Sequence, residues 1–291
     1  MTIIDAHHHV WDLRVRDQDW IAGPAMAAIR RSFSVDDLRP HAEEAGVTAT
    51  VLVQTVTVAA ETPEMLALAD ADPLIAAVVG WTDLTSADVA GQLAALRSGH
   101  GGRWLRGIRH QVQSEPDPDW LRRPDVLAGL RAVAAAGLAY DLIVLPDQLP
   151  AAAFAAAAVP ELTLVLDHAG KPAIGTGDLR SWARDVRALA EQPNTVCKLS
   201  GLVTQAAPGA SAEAFAPIAD VILSAFGAQR VMFGSDWPVC LLASDYGSVV
   251  GLARTLLSGL SAAECSAVFA GTAARVYGIE AAAGWPRGDR R

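Results

Sequence analysis

Eight short runs of residues, each apolar on both faces, recur along the chain, and each is followed by a longer segment with helical start and stop signals. The runs are Thr2 to Asp5, Ala49 to Gln54, Ile75 to Trp81, Leu105 to Arg109, Ala139 to Val144, Leu162 to Asp167, Val196 to Leu199 and Val231 to Phe233. Strands read this way when they are buried in a parallel sheet, because helices cover such a sheet on both sides. Between the runs, Ser34 and Asp37 form a capping box before Leu38 to Ala45, and Thr62-Pro63-Glu64 puts proline at a first helical position. Asp83 to Asp88, Pro124-Asp125, Asp147 to Pro150, Thr176 to Asp178, Ser211 to Glu213 and Ser244-Asp245 open further helices, and Gly46, Gly99 and Gly137 stand where helices should stop. Eight strand–helix units in 291 residues predict an α/β fold, a (β/α)8 TIM barrel. The barrel should occupy residues 1–280 as one domain, with Ser261 to Tyr277 as a closing helix and 281–291 as a frayed tail. The irregular stretch Trp11 to Phe33 should lie over the barrel mouth. Periodicity alone leaves a doubly wound open sheet as the alternative.

Composition narrows the class. With 52% hydrophobic and 19% charged residues the chain can bury a large core. No stretch approaches the roughly 20 apolar residues of a membrane span, and the first residues lack the basic and apolar regions of a secretory signal. Cys197, Cys240 and Cys265 are odd in number and irregularly spaced, which suits packing in a reducing cytoplasm better than a disulfide framework or a zinc finger. A net charge of -9 counts against nucleic acid or an anionic membrane as partner and leaves a small molecule. A homo-oligomer is compatible with all of this. There is no GxGxxG after a strand, no P-loop, no G-x-S-x-G elbow and no basic stripe with interleaved aromatics.

In a barrel of this kind, chemistry gathers where strands end and loops begin. Strand one ends in Asp5-Ala6-His7-His8-His9, strand four in Arg109-His110, strand six in Asp167-His168 with Lys171 beyond, and strand eight in Ser235-Asp236-Trp237. Asp141 and Lys198 belong to strands five and seven. Five of the seven histidines fall at these ends, a clustering that random placement does not give. Side chains two apart on a strand share a face, so His7 and His9 should enter one site while His8 points away. Two imidazoles and a carboxylate make a familiar ligand set for zinc, whereas the plain reading of the triplet is a tag remnant or a strand end. Asp236 suits a metal ligand or a general base, or else a helix cap. His168 is a third imidazole for metal or substrate, or a core histidine. Arg109 could hold a substrate carbonyl or carboxylate, or pair internally with Asp83 or Asp141. Lys171 could steer a hydroxylated or anionic substrate, or lie along the rim. Trp11, Trp81 and Trp237 could wall a sugar-sized pocket, although aromatic residues more often sit in cores.

Ile-Ile-Asp-Ala-His-His-His-Val-Trp-Asp, Gly-Ile-Arg-His, Leu-Asp-His-Ala-Gly-Lys-Pro, Cys-Lys-Leu-Ser-Gly and Phe-Gly-Ser-Asp-Trp-Pro together resemble the amidohydrolase-2 family of the amidohydrolase superfamily. Within it the chain is most similar to the sugar-lactonase branch, that of L-fuconolactonases and L-rhamnonolactonases. The resemblance runs from strand one to strand eight. It implies an amidohydrolase-type barrel with His7, His9, His168 and Asp236 as metal ligands. Catalysis would fall to Asp236, His168 and Arg109, and substrate binding to Trp11, Trp81, His110, Lys171 and Trp237. Strand four ends in Arg109 and His110 and not in the bridging lysine of two-metal members, and one later histidine stands where those members use two. One divalent ion, zinc first, or none is therefore expected. The implied reaction is opening of a cyclic ester by carboxylate-activated water. A pyrone-type lactonase, a decarboxylase or hydratase of the same superfamily, and a non-catalytic barrel that binds a sugar acid are the competing readings.

Overall fold

Hydrogen bonds join the eight runs edge to edge in chain order. The computed structural model describes residues 2–175, 179–207 and 209–280. Its strands are β1 (Ile3–His8), β2 (Val47–Val53), β3 (Ile75–Gly80), β4 (Leu105–His110), β5 (Ala139–Leu142), β6 (Leu164–Leu166), β7 (Thr195–Leu199) and β8 (Val231–Phe233), all parallel, in the order β1 to β8. Past β8 the chain returns to β1. His8 bridges Trp237 in parallel, Asp236 N donates to His7 O at 2.8 Å, and His9 N donates to Trp237 O at 2.7 Å. The ring of strands thereby closes into a barrel, and the open-sheet alternative falls. Asp5 fastens the same seam, its buried carboxylate accepting from Ser235 N (2.8 Å), Ser235 Oγ (2.6 Å) and Tyr246 OH (3.1 Å). Burial pushes the Asp5 carboxyl above its ordinary pKa even though each of these donors opposes it.

The helices on the outside are α1 (Val35–Ala45), α2 (Glu61–Ala71), α3 (Val89–Ser98), α4 (Pro124–Ala135), α5 (Leu149–Ala158), α6 (Leu179–Ala190), α7 (Ala212–Phe226) and α8 (Tyr246–Leu256). The Ser34–Asp37 capping box forms as read, and Gly46 ends α1 at φ 77°, where a side chain would be strained. Helix α2 starts earlier than its proline suggested. Glu61 leads it, and its carboxylate accepts from Thr55 N (2.9 Å) and Val56 N (3.2 Å), so Pro63 is the third helical residue. The expected start at Thr176 to Asp178 and the segment 281–291 lie outside the described residues. The closing segment is two short helices, α9 (Ala262–Ser266) and α10 (Thr272–Tyr277), joined by a wide helical turn. Thr272 Oγ1 and Arg275 Nη2 donate to Gln229 O just before β8, which places this segment at the N-terminal end of the barrel, opposite the mouth. No described helix is long and apolar enough to cross a membrane.

Strand β1 carries the irregularity that matters. Ile4 and Ala6 join the barrel's inner apolar cluster, with Val51, Val53, Ala77 and Val165, so simple alternation would send His8 in after them. The pairing of β1 with β2 slips between Asp5 and His8. Beyond that bulge His7 faces the interior and His8 is turned outward. His8 is fully buried, and neither ring nitrogen has a hydrogen-bond partner among the described residues. Burial lowers its pKa from 6.5 to about 3. A depressed folded-state pKa on a base means that its stabilisation is complete above the unfolded value and is lost as pH falls toward 3. Between pH 7.5 and pH 5 this residue should cost the fold about 2 kcal/mol. His8→Leu should shrink the loss over that interval by about this amount in urea unfolding. A variant whose loss matches the parent's would show that His8 does not set the acid limb.

Candidate active site

Beyond the bulge the two imidazoles of strand one meet. His7 Nε2 and His9 Nε2 lie 3.2 Å apart. His9 Nδ1 is 2.7 Å from Val53 O and must carry the proton that donates there, which leaves Nε2 as the nitrogen facing the site. From the other side of the seam Asp236 brings Oδ1 to 3.5 Å from His9 Nε2, 3.8 Å from His7 Nε2 and 3.9 Å from His168 Nε2. His168 Nδ1 pairs with Ser200 Oγ at 3.0 Å. Both His168 (φ 53°) and Asp236 (φ 59°) hold left-handed backbone, a conformation costing non-glycine residues on the order of 1–3 kcal/mol. The absence of a side chain at Gly201 makes room for both, since a Cβ there would come within 2.5 Å of His168 Nδ1 and 3.1 Å of Asp236 Oδ2.

Beneath this cluster runs a buried ionic chain. Arg109 Nη1 donates to Asp167 Oδ2 at 2.9 Å and lies 3.2 Å from His7 Nε2, while Nε donates to Gln54 Oε1 at 3.0 Å. Lys198 Nζ lies between Asp141 Oδ2 (2.5 Å) and Asp167 Oδ1 (3.0 Å), and 3.2 Å from His7 Nδ1. Tyr277 OH, from the closing segment, donates to Asp141 at 2.9 Å. The internal partner of Arg109 is thus Asp167, and neither Asp83 nor Asp141 fills that place. Asp167, Lys198 and Tyr277 are the residues whose part sequence reasoning missed. The available signal was a charge inside strands otherwise apolar on both faces.

Charge states follow from burial. Burial drives the His7 pKa well below 6.5 despite nearby Asp167, and takes His168 to about 4, so both rings are neutral at pH 7. For Asp236 burial acts upward, but His168, His9 and Lys171 outweigh it and hold the carboxyl below its ordinary value. Burial also lowers Lys171, whose ammonium donates to Gln113 Oε1.

A cavity of about 810 Å³ opens over the cluster, within the range of small-molecule sites. His9, Arg109, His110, His168, Lys171 and Asp236 all line it, with His7 immediately below. The three tryptophans expected to wall it do not. Trp11 is buried edge-on between Trp20 (5.6 Å) and Phe33 (5.4 Å), its indole N–H on Arg31 O. Trp237 is buried against Phe33 at 5.3 Å. Trp81 lines a groove with residues of α2 and α3 and reaches the cavity only through its N–H on His110 Nδ1. Trp20 is the tryptophan at the mouth, and with Arg16 and Met26 it brings the Trp11–Phe33 stretch over the opening.

The donor set fits a divalent ion. His7, His168 and Asp236 offer ligand atoms within 4.8 Å of one another, and His9 Nε2 lies 3.2 Å from His7 Nε2. Arg109 beside His7 also supplies a fixed positive charge there without any ion.

The amidohydrolase family model matches residues 4–279. An L-fucono-1,5-lactonase of Burkholderia multivorans is 43% identical over 290 residues, covering 95% of this chain and 96% of that protein. Another protein of that name, from Burkholderia ambifaria, is 37% identical, covering 99% and 98%. Among solved structures, an amidohydrolase from Burkholderia multivorans with bound zinc superposes with a TM-score of 0.90 at 40% identity, over 96% of this chain and 100% of that one.

Proposed function

The chain belongs to the amidohydrolase family, and from that premise we propose that it is a hydrolase opening the cyclic ester of a sugar lactone of the L-fucono-1,5-lactone class. The observation that carries the reading is a carboxylate held below its ordinary pKa, Asp236, set among three imidazoles on the floor of a cavity sized for a small molecule. Asp236 takes a proton from water as the water oxygen bonds to the lactone carbonyl carbon. The oxyanion that develops faces Arg109 and His168. When Ser200 donates to His168 Nδ1, the proton of that ring stands on Nε2 and can be donated to the oxyanion. As the ring C–O bond breaks, protonated Asp236 returns its proton to the departing oxygen, giving a hydroxy acid that releases one proton into neutral solution. A divalent ion held by His7, His9, His168 and Asp236 would, when bound, supply Lewis-acid polarisation of the carbonyl. Lys171 binds the substrate from the cavity wall, which His110 also lines. The three cysteines, all free, suit a cytoplasmic enzyme.

An indicator assay on a panel of aldonolactones tests the reading. Acid release should be fastest on L-fuconolactone and its close stereochemical relatives. Silence across the panel would withdraw the lactonase, and release of CO2 from an aromatic acid would replace it with the decarboxylase. Zinc content measured on the same samples, before and after a chelator, assigns the polarising charge. Activity that tracks zinc gives that role to the ion, and activity independent of zinc gives it to Arg109 and His168.

A further inference from the structure

Strand β4 ends in His110, whose ring is held on three sides. It stacks on Trp120 with centroids 4.5 Å apart and planes 9° from parallel. Trp81 Nε1 approaches Nδ1 at 3.0 Å, and Glu115 Oε1 lies 2.7 Å from Nε2. An indole N–H can only donate, so His110 Nδ1 must accept and the ring proton stands on Nε2, where it donates to Glu115 Oε1. One carboxylate oxygen of Glu115 is thereby fixed in place. The other has no hydrogen-bond partner among the described residues, and Glu115 lines the same cavity as Asp236 and His168. Three polar neighbours on that wall, Lys171, Gln113 and Gln111, are already engaged. Lys171 donates to Gln113, Gln113 Nε2 to Gln111 Oε1 (3.0 Å), and Gln111 Nε2 to Gln54 Oε1 and Thr55 O (3.1 Å each). Elsewhere the lining is mixed: Trp20, Met26, Val239 and Leu242 are apolar, and Arg16, Asp17, Asp19, Thr204 and Gln205 are polar.

We propose that Glu115, aimed by His110 and Trp81, is the acceptor that recognises the ring hydroxyls of the substrate and makes the site selective for polyhydroxylated lactones. This rests on the lactonase reading. It adds a selectivity residue that neither accepts the catalytic proton nor touches the oxyanion. A pre-aimed carboxylate oxygen makes a charge-assisted bond to a hydroxyl, and a site built for that bond discriminates strongly against a substrate lacking it.

The test compares L-fuconolactone with δ-valerolactone, which has the ester ring and no hydroxyls. Glu115→Gln should lower the ratio of kcat/KM for the two by about tenfold to a hundredfold, chiefly through KM on the sugar lactone. Trp81→Phe, which frees His110 to choose the other tautomer, should lower the ratio in the same direction by less. A ratio that Glu115→Gln leaves where it was, or a proportional loss on both substrates, overturns the assignment. Calorimetry with the product L-fuconate separates this failure from that of the lactonase reading. A parent protein that turns over neither lactone retracts the hydrolase alone. Binding of L-fuconate that weakens at least tenfold in Glu115→Gln upholds the hydroxyl acceptor, and equal or undetectable binding in parent and variant removes it.

Discussion

Asp236→Asn should lower kcat on L-fuconolactone by about a thousandfold or more while leaving KM within a few fold. Asparagine has the shape of aspartate but cannot take the proton of the attacking water or return one to the ring oxygen. The substitution is also clean where most would not be. Asp236 sits at φ 59°, and asparagine is among the few residues that occupy left-handed backbone readily, so the variant keeps the local turn. Cys240 N still finds Asp236 O, and the seam bonds from Asp236 N to His7 O and from His9 N to Trp237 O involve backbone alone. An unfolding midpoint close to the parent's, with turnover lost, would assign the proton transfers to this carboxylate. Turnover near the parent's would remove the base from the mechanism, and Asp236 would then be left as a structural partner of the three imidazoles.

What could be read from residues alone divides along a physical line. Strand β8 was legible to its last residue because Arg230 and Gly234 bound an apolar triplet. Strand β6 was not. Its reading ran from Leu162 to Asp167, whereas the strand is only Leu164–Leu166 and yields at Asp167 to a tight turn that swings His168, Ala169 and Lys171 through left-handed backbone. Gly170 is the one local sign of such a turn; what receives it, the open space at Gly201 and the hydroxyl of Ser200, comes from strand seven's end. His7, His9, His168 and Asp236 were legible as a set because strand ends in a barrel converge. The alternation argument reached the right pair in strand one although a bulge, not plain alternation, turns His7 inward. The tryptophans went astray because aromatic character says nothing about which side of the mouth loop a ring faces. Glu115 lay hidden because its partner His110 and the donor Trp81 come from different strand ends.

The buried ionic chain was the least legible part, since Asp141, Asp167, Arg109 and Lys198 stand on or directly after four different strands and balance only in three dimensions. That balance makes Lys198→Met the substitution with the largest expected effect on stability. Lys198 and Arg109 are two positive charges against Asp141 and Asp167, all four essentially excluded from solvent. Removing Lys198 strands a carboxylate in the barrel interior, for a loss of about 3–5 kcal/mol in urea unfolding. Relief comes by protonation. Burial already pushes the Asp141 carboxyl up, with Lys198 as the main opposing charge, and without that lysine it rises further. An acid whose folded-state pKa is raised destabilises the fold as pH climbs through that value, so the deficit should be larger at pH 8 than at pH 5. Lys198→Met combined with Asp141→Asn should recover a substantial part of the loss, because the amide is uncharged yet still accepts from Tyr277 OH. A single variant destabilised by under about 1 kcal/mol, or a double variant no more stable than the single, would mean that the interior charges are solvated by something other than one another. The chain from Tyr277 to His7 would then be a set of neighbours without energetic coupling.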